Sequence, residues 1–191
     1  MSLMMNNKNF LPILLVPSCV LAIPAAAMLF KVEGWAWSPA DFVVAWLFIA
    51  AAMAAYRFMA EKAPSRAYRV AAGVAVVTGL VLFWINGAVG LIGSEDNPAN
   101  LLYGGVLLVG VIGAALARLR PLGMARALGA TAAAQFLVPV VALIVWRPDF
   151  GPGVVQVFGL NFGFVLMFAT SALLFRHAAS TAPGAGGPTP V

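Results

Sequence analysis

Residues 42–60 have the sequence FVVAWLFIAAAMAAYRFMA, in which Arg57 is the only charged side chain. A bilayer core is crossed by a helix of about 20 mainly apolar residues, so this stretch is long enough to span it. It follows the sequence SPAD, which is typical of a helix start, with Ser38 as N-cap, Pro39 in the first turn and Asp41 at the capping-box position. The stretch therefore predicts a membrane-spanning helix with a defined beginning.

The whole chain is too apolar for a water-soluble domain. Of its 191 residues 63% are hydrophobic and 9% are charged, and the mean hydropathy is +0.99. Soluble domains have about 45–50% apolar and about 25% charged residues. We predict an all-α integral membrane bundle of six transmembrane helices within a single domain, residues 1–179. The predicted spans cover residues 10–30, 41–60, 69–92, 98–119, 124–146 and 154–175. The segment STAPGAGGPTPV, residues 180–191, has no apolar periodicity and is predicted to be a disordered cytoplasmic tail.

The distribution of basic residues predicts the orientation. If the spans alternate in direction, two basic residues fall on one side, Lys31 and Arg147, and nine fall on the other. These nine are Lys8, Arg57, Lys62, Arg66, Arg69, Arg118, Arg120, Arg126 and Arg176. Cytoplasmic loops are enriched in lysine and arginine, so we expect both termini in the cytoplasm of a bacterium and the chain in its inner membrane. The net charge of +5 is explained by this asymmetry, and no nucleic-acid partner is predicted.

The turn GSEDNPAN, residues 93–100, is the only place in the sequence where two acidic residues are adjacent, and long apolar runs lie on both sides of it. Asn97 and Pro98 repeat the pattern of a capping side chain followed by proline, which predicts a helix start. Glu95 and Asp96 would lie at the positive end of that helix. Uncharged polar residues in the same half of the spans extend this set. The candidate ligand-binding residues are Asn86, Glu95, Asp96, Asn97, Asn100, Gln135 and Asn161. They either line an outward-facing pocket or only form hydrogen bonds between helices.

Glycines at helical spacing indicate close helix contacts. The predicted packing positions are Gly87, Gly90, Gly93, Gly110, Gly113, Gly159 and Gly163. Such spacing serves packing within the chain, a dimer interface or a groove for a partner helix.

The side chains needed for several kinds of chemistry are scarce. Cys19 and His177 are each the only residue of their type, which excludes an internal disulfide, a cysteine-only metal site and paired-histidine haem ligation within one chain. We predict no metal, no cofactor and no catalytic residue, and we expect Cys19 to be a buried small apolar residue. No ionisable side chain is predicted deep in a span, although pumps and many transporters use one there.

Residues 84–128 resemble a recurring segment of small polytopic inner-membrane proteins of bacteria that have no assigned activity. The resemblance rests on the GSEDNPAN-type outer turn at residues 93–100, on Tyr103 and on the turn at residues 118–126. It implies a bacterial polytopic membrane protein with the same outer turn, and it implies no substrate and no catalytic residue.

Three functions are compatible with these patterns. The chain is expected to be a non-catalytic accessory, scaffold or membrane-complex subunit, in contact with the lipid bilayer and with other subunits or further copies of itself. The alternative is a small-molecule transporter or permease with an outward-facing polar pocket. A lipid- or quinone-linked membrane enzyme is the third hypothesis.

Overall fold

The computed structural model of the chain describes residues 7–94, 96–147 and 151–181. Within these residues the chain forms six α-helices and one 3-10 turn, and no strand. The helices are α1 (Asn7–Leu29), α2 (Pro39–Glu61), α3 (Arg66–Val89), α4 (Leu101–Leu116), α5 (Pro121–Trp146) and α6 (Pro152–Ser180), and the 3-10 turn Pro98–Asn100 precedes α4. Each helix, α4 together with its 3-10 turn, is long and apolar enough to cross a membrane. The predicted all-α architecture with six transmembrane helices is confirmed.

The chain divides into two compact units, Met1–Phe58 and Met59–Val191. In the first unit, α1 remains helical through its three prolines, Pro12, Pro17 and Pro24. The Ser18 hydroxyl donates to the carbonyl oxygen of Leu14 at 2.8 Å and accepts from the Trp46 indole N–H at 3.1 Å, which joins α1 to α2. Cys19 is exposed, so the prediction of a buried cysteine was wrong.

The beginning of α2 is as predicted from the sequence SPAD. The Asp41 carboxylate accepts from the Ser38 backbone N–H at 2.7 Å and from its hydroxyl at 2.9 Å, and the Ser38 hydroxyl accepts from the Asp41 N–H at 3.3 Å. Each of the two side chains thus accepts from the backbone N–H of the other residue, which is the reciprocal arrangement of a capping box.

In the second unit, α6 packs against both α5 and α3, and α4 packs against α5. The Tyr68 ring meets the Phe175 ring edge-on, with the centroids 4.9 Å apart. The Ser171 hydroxyl donates to the carbonyl oxygen of Ala71 at 2.8 Å, which connects α6 to α3. The largest buried side chains of this unit include Tyr68, Leu82, Tyr103, Met124, Phe164, Phe168 and Phe175.

The helix ends differ from the predicted spans where backbone geometry decides them. Helix α3 ends at Val89, before the predicted residue 92, because Gly90 takes a positive φ of 69°. Between α4 and α5, Arg118 and Leu119 both have left-handed backbone angles, and the Tyr68 hydroxyl donates to the Leu119 carbonyl oxygen at 2.7 Å. Helix α6 continues to Ser180, past the predicted end at residue 175. Of the predicted tail, residues 182–191 lie outside the described residues.

The glycines predicted to pack helices have three different surroundings. A Cβ atom at Gly113 would lie 2.8 Å from the Ala127 Cβ, and one at Gly110 would lie 3.4 Å from the Thr131 hydroxyl, so these two lie against α5. Gly90 and Gly93 lie in the loop between α3 and α4. A Cβ atom would meet nothing within 4 Å at the remaining three, which are Gly87, Gly159 and Gly163.

Candidate functional site

The loop between α3 and α4 is organised by Asn100. Its side-chain oxygen accepts from the backbone N–H of Leu91 at 3.1 Å and of Ile92 at 2.9 Å. Its side-chain nitrogen donates to the carbonyl oxygens of Ile92 at 3.3 Å and Ser94 at 2.6 Å. A carboxamide has two donor hydrogens and two acceptor lone pairs. All four are used within the loop, so the Asn100 side chain shapes the loop and has no hydrogen-bonding capacity left for a ligand.

Asn97 and Asn86 support the same loop. The Asn97 side chain accepts from the Ala99 N–H at 2.9 Å and caps the 3-10 turn before α4, as predicted. The Asn86 side chain donates to the Asn100 carbonyl oxygen at 3.2 Å. Its own side-chain oxygen is buried and has no hydrogen-bond partner among the described residues.

Of the two acidic residues of the turn, Asp96 is described, and its side chain takes no part in the hydrogen bonds given above. Asp96 is exposed. Glu95, for which a role beside the helix start was predicted, lies outside the described residues.

A second polar cluster, which we call the amide network, joins three helices inside the second unit. It consists of Tyr103 on α4, Gln135 on α5 and Asn161 on α6, and each of the three is at most 1% exposed. The Gln135 side-chain nitrogen donates to the Asn161 side-chain oxygen at 2.8 Å, and the Asn161 nitrogen donates to the Tyr103 hydroxyl at 2.9 Å. Uncharged polar groups therefore meet at the place where α4, α5 and α6 converge.

A cavity of about 540 Å³ lies at the end of the second unit that contains the α3–α4 loop. It is lined by Leu91, Ile92, Gly93, Asn97, Pro139, Ala142, Leu143, Gly151, Gly153, Val154, Gln156, Val157, Phe158 and Leu160. These residues belong to the loop, to the last turns of α5 and to the first turns of α6. The lining is mainly apolar, with the side-chain amides of Asn97 and Gln156 as its polar groups.

The amide network lies one helical turn deeper than this lining. Gln135 precedes the lining residue Pro139 by four positions on α5, and Asn161 follows the lining residue Val157 by four positions on α6. The Asn161 side-chain nitrogen also donates to the carbonyl oxygen of Val157 at 2.8 Å. Residues four apart lie on one face of a helix, so two neighbouring helices connect the cavity to the network.

The structure thus separates the predicted binding residues into three groups. Asn86 and Asn100 interact at the loop, Gln135 and Asn161 interact in the amide network, and Asn97 lies on the cavity wall. Tyr103 was not included in the predicted set, although a phenol in the apolar stretch of α4 needs a hydrogen-bond partner. Pro139 was also missed, because a proline in a span signals a kink and not a cavity wall.

In the described part of the chain, the cavity wall carries hydrogen-bonding groups and no charged side chain. Among the described residues, no group of three or more histidine, cysteine, aspartate or glutamate side chains is close enough to hold a metal ion. Within residues 7–94, 96–147 and 151–181, no lining residue is ionisable. The chain matches no protein-family model, and it shows no similarity to a curated protein or to a solved structure.

Proposed function

We propose that this multi-pass membrane protein binds a small uncharged molecule in the cavity between the α3–α4 loop and the adjoining ends of α5 and α6. The observation that carries the proposal is the position of the cavity one turn above the amide network. Ligand sites in proteins are concave, mostly apolar, about 300–1,000 Å³ in volume, and have a few convergent polar groups. The cavity has the volume, the apolar lining and the amides of such a site.

The lining chemistry selects the kind of molecule. A charged ligand transferred into an apolar site needs a compensating charge. Among the residues that the structure describes, the lining offers two amide side chains and backbone groups. An uncharged molecule with a mainly apolar body and one or two polar groups fits this wall.

Orientation follows from the positions of the arginines in the second unit. Tyr68 near the start of α3 contacts both Leu119 after α4 and Phe175 near the end of α6, so these termini share one end of the unit. That end carries Arg66, Arg69, Arg118, Arg120, Arg126 and Arg176, all exposed, whereas the cavity end carries Arg147. The positive-inside rule supports a cytoplasmic arginine-rich end, and the cavity then opens on the outer face of a bacterial inner membrane.

Cysteine labelling in intact cells tests this orientation. The background is Cys19→Ala, because the native thiol is exposed. An Asp96→Cys variant is expected to react with a membrane-impermeant maleimide, whereas Leu122→Cys, beside the arginine-rich turn, is expected to react only after lysis. Labelling of Leu122→Cys in intact cells would refute the outward-facing cavity. Both positions are exposed, so access to the reagent depends on the side of the membrane.

A native mass spectrum of the protein in mild detergent tests the ligand. We expect a bound small molecule on the wild-type chain and its loss from Gly153→Leu, which adds a side chain to the cavity wall. A Cβ atom at Gly153 meets nothing within 4 Å, so the substitution adds a side chain to this wall residue without a clash at its Cβ. Gly129→Leu is the matched control, because that glycine is equally unobstructed and does not line the cavity. Equal spectra for the two variants would contradict the proposal.

One observation favours a second candidate, an accessory subunit of a membrane complex. Gly159 and Gly163 form a small-residue pair on α6, are exposed, and have nothing within 4 Å of a Cβ atom. Another transmembrane helix could approach closely at such a surface. The double variant Gly159→Leu, Gly163→Leu should then lose a stoichiometric partner on purification. Purification of the wild-type chain without a partner argues against this candidate.

A further inference from the structure

We propose that the side-chain oxygen of Gln135 accepts a hydrogen bond from the molecule in the cavity, which makes that molecule an alcohol or an amide with an apolar body. The inference rests on the proposed function, since it specifies the chemistry of the same site. It follows from the direction of the hydrogen bonds in the amide network and from the one buried acceptor that they leave unused among the described residues. It requires the molecule to reach one helical turn past the cavity wall, because Gln135 is not one of the lining residues.

The direction of the network is set by a backbone carbonyl. A side-chain amide can be turned over to exchange its oxygen and nitrogen, and the hydrogen-bond network decides which orientation holds. The carbonyl oxygen of Val157 can only accept, so the Asn161 group that lies 2.8 Å from it must be the nitrogen. The Asn161 oxygen then faces Gln135, and only the Gln135 nitrogen can donate to it.

This direction leaves the Gln135 oxygen as an unused acceptor. Gln135 is 0% exposed, and its side-chain oxygen is buried without a hydrogen-bond partner among the described residues. Such a group loses its bonds to water on burial and gains nothing in return, so native proteins rarely leave one. Turning the Gln135 amide over does not help, because its oxygen would then face the oxygen of Asn161.

The backbone beside this group adds a second acceptor. Pro139 carries no N–H, so it cannot donate the usual helical hydrogen bond to the Gln135 carbonyl oxygen. Pro139 also lines the cavity. The turn of α5 between the cavity wall and the network therefore contains two carbonyl-type oxygens that lack the ordinary donor, one from the side chain and one from the backbone.

Tyr103 contributes the complementary group. Its hydroxyl oxygen accepts from Asn161, and no hydrogen bond donated by this hydroxyl is found among the described residues. A ligand hydroxyl or amide contains both a donor and an acceptor. The donor matches the side-chain oxygen of Gln135, and the acceptor matches the hydroxyl proton of Tyr103. A ketone or an ether contains only an acceptor and leaves the Gln135 oxygen unsatisfied.

Two probes with the same body separate these classes. Cyclohexanol has a donor and an acceptor, whereas cyclohexanone has an acceptor only. We expect the wild-type protein in lipid nanodiscs to bind the alcohol about tenfold more tightly than the ketone by calorimetry, after subtraction of empty nanodiscs. Gln135→Leu should abolish this preference. Thr131→Val is the matched control, because Thr131 is equally buried on α5, bonds only to the Ala127 carbonyl oxygen of its own helix, and should leave the preference intact.

A measurement on the unsubstituted side chain does not depend on whether Gln135→Leu folds. The sequence contains two glutamines, Gln135 and Gln156, so selective ¹³C labelling of glutamine gives two side-chain carbonyl signals. The Gln156 signal is identified with Gln156→Leu. Addition of cyclohexanol should move the Gln135 signal in the direction of a newly accepted hydrogen bond, and cyclohexanone should not.

The outcomes separate the inference from the proposed function. If both probes bind, Gly153→Leu blocks both, and neither probe moves the Gln135 signal, the cavity binds ligands and the role of Gln135 is refuted. If the Gln135 signal already shows a strong hydrogen bond without a probe and cyclohexanol leaves it unchanged, buried water fills this acceptor and the inference is likewise refuted. If neither probe binds, the assigned ligand class is wrong, and the native mass spectrum then decides whether the cavity holds any molecule.

Discussion

Replacement of Asn100 by alanine should be among the most destabilising single changes in the loop between α3 and α4. The substitution removes all four side-chain hydrogen bonds that hold residues 91–94 against the start of α4. It also leaves the buried N–H of Leu91 without its acceptor. Water cannot replace that bond without opening the loop.

The expected loss can be worked out from these contacts. A typical intramolecular hydrogen bond contributes about 0.5–1.5 kcal/mol net, and a buried donor left unsatisfied costs about 1–3 kcal/mol. The contact to Ile92 at 3.3 Å is weak, and the bonds to Ile92 and Ser94 are partly accessible to water. We therefore expect a loss of about 3 kcal/mol in the free energy of unfolding, of which the Leu91 N–H accounts for the largest single part.

Asn97→Ala provides the comparison within the same loop. Asn97 makes one side-chain hydrogen bond, to the Ala99 N–H, so its loss should cost about 1 kcal/mol, as for other N-caps. Both variants can be titrated with denaturing detergent from mild-detergent micelles and followed by tryptophan fluorescence. A cost for Asn100→Ala equal to or below that of Asn97→Ala would refute the assignment of Asn100 as the organiser of the loop.

Three further changes test other parts of the fold by the same titration. Gly90→Ala should lower the free energy of unfolding by about 2 kcal/mol, because the φ of Gly90 is +69° and the added Cβ would lie 2.5 Å from loop backbone. Gly87→Ala should raise it by about 0.5–1 kcal/mol, because a Cβ there meets nothing within 4 Å. Equal effects of the two substitutions would contradict the loop geometry. Tyr68→Phe should cost about 1 kcal/mol through the lost 2.7 Å bond to the Leu119 carbonyl oxygen, and an unchanged midpoint would show that this bond contributes nothing. Asp41→Ala should cost about 1 kcal/mol and Asp41→Glu less, since only alanine removes the capping carboxylate; equal losses would argue against the capping box.

Most of the architecture could be predicted because it depends on local chemistry. Membrane helices satisfy their backbone groups internally, so a long apolar stretch between turn signals is enough to place one. The Ser38–Asp41 cap involves residues three apart, and the Asn97 cap involves residues two apart. Both were predicted from sequence for that reason. The early end of α3 at Gly90 was missed, because a glycine in an apolar stretch is compatible with a continuing helix.

The candidate site could be predicted only in part, because its contacts join residues far apart in the chain. Gln135 and Asn161 were recognised as polar residues in spans, but their mutual contact, and the contact of Asn161 with Tyr103, required the packing of three helices. The cavity wall was unpredictable for another reason. Most of its residues are apolar or glycine, and nothing in their sequence distinguishes a wall facing empty space from one facing lipid.

Two buried amides that look equivalent in the sequence differ in how many of their donor hydrogens and acceptor lone pairs have partners. Asn100 and Gln135 are both buried carboxamides in apolar surroundings. Asn100 uses both hydrogens and both lone pairs on backbone groups, so replacement of its side chain should change stability and affect binding only through the shape of the loop. Gln135 uses its nitrogen, and its oxygen has no partner among the described residues, so its replacement should change which ligands bind. Both the free energy of unfolding and the ligand preference should therefore be measured on the Asn100 and Gln135 variants, and the two quantities should change independently. If both amides had a purely structural role, they would not.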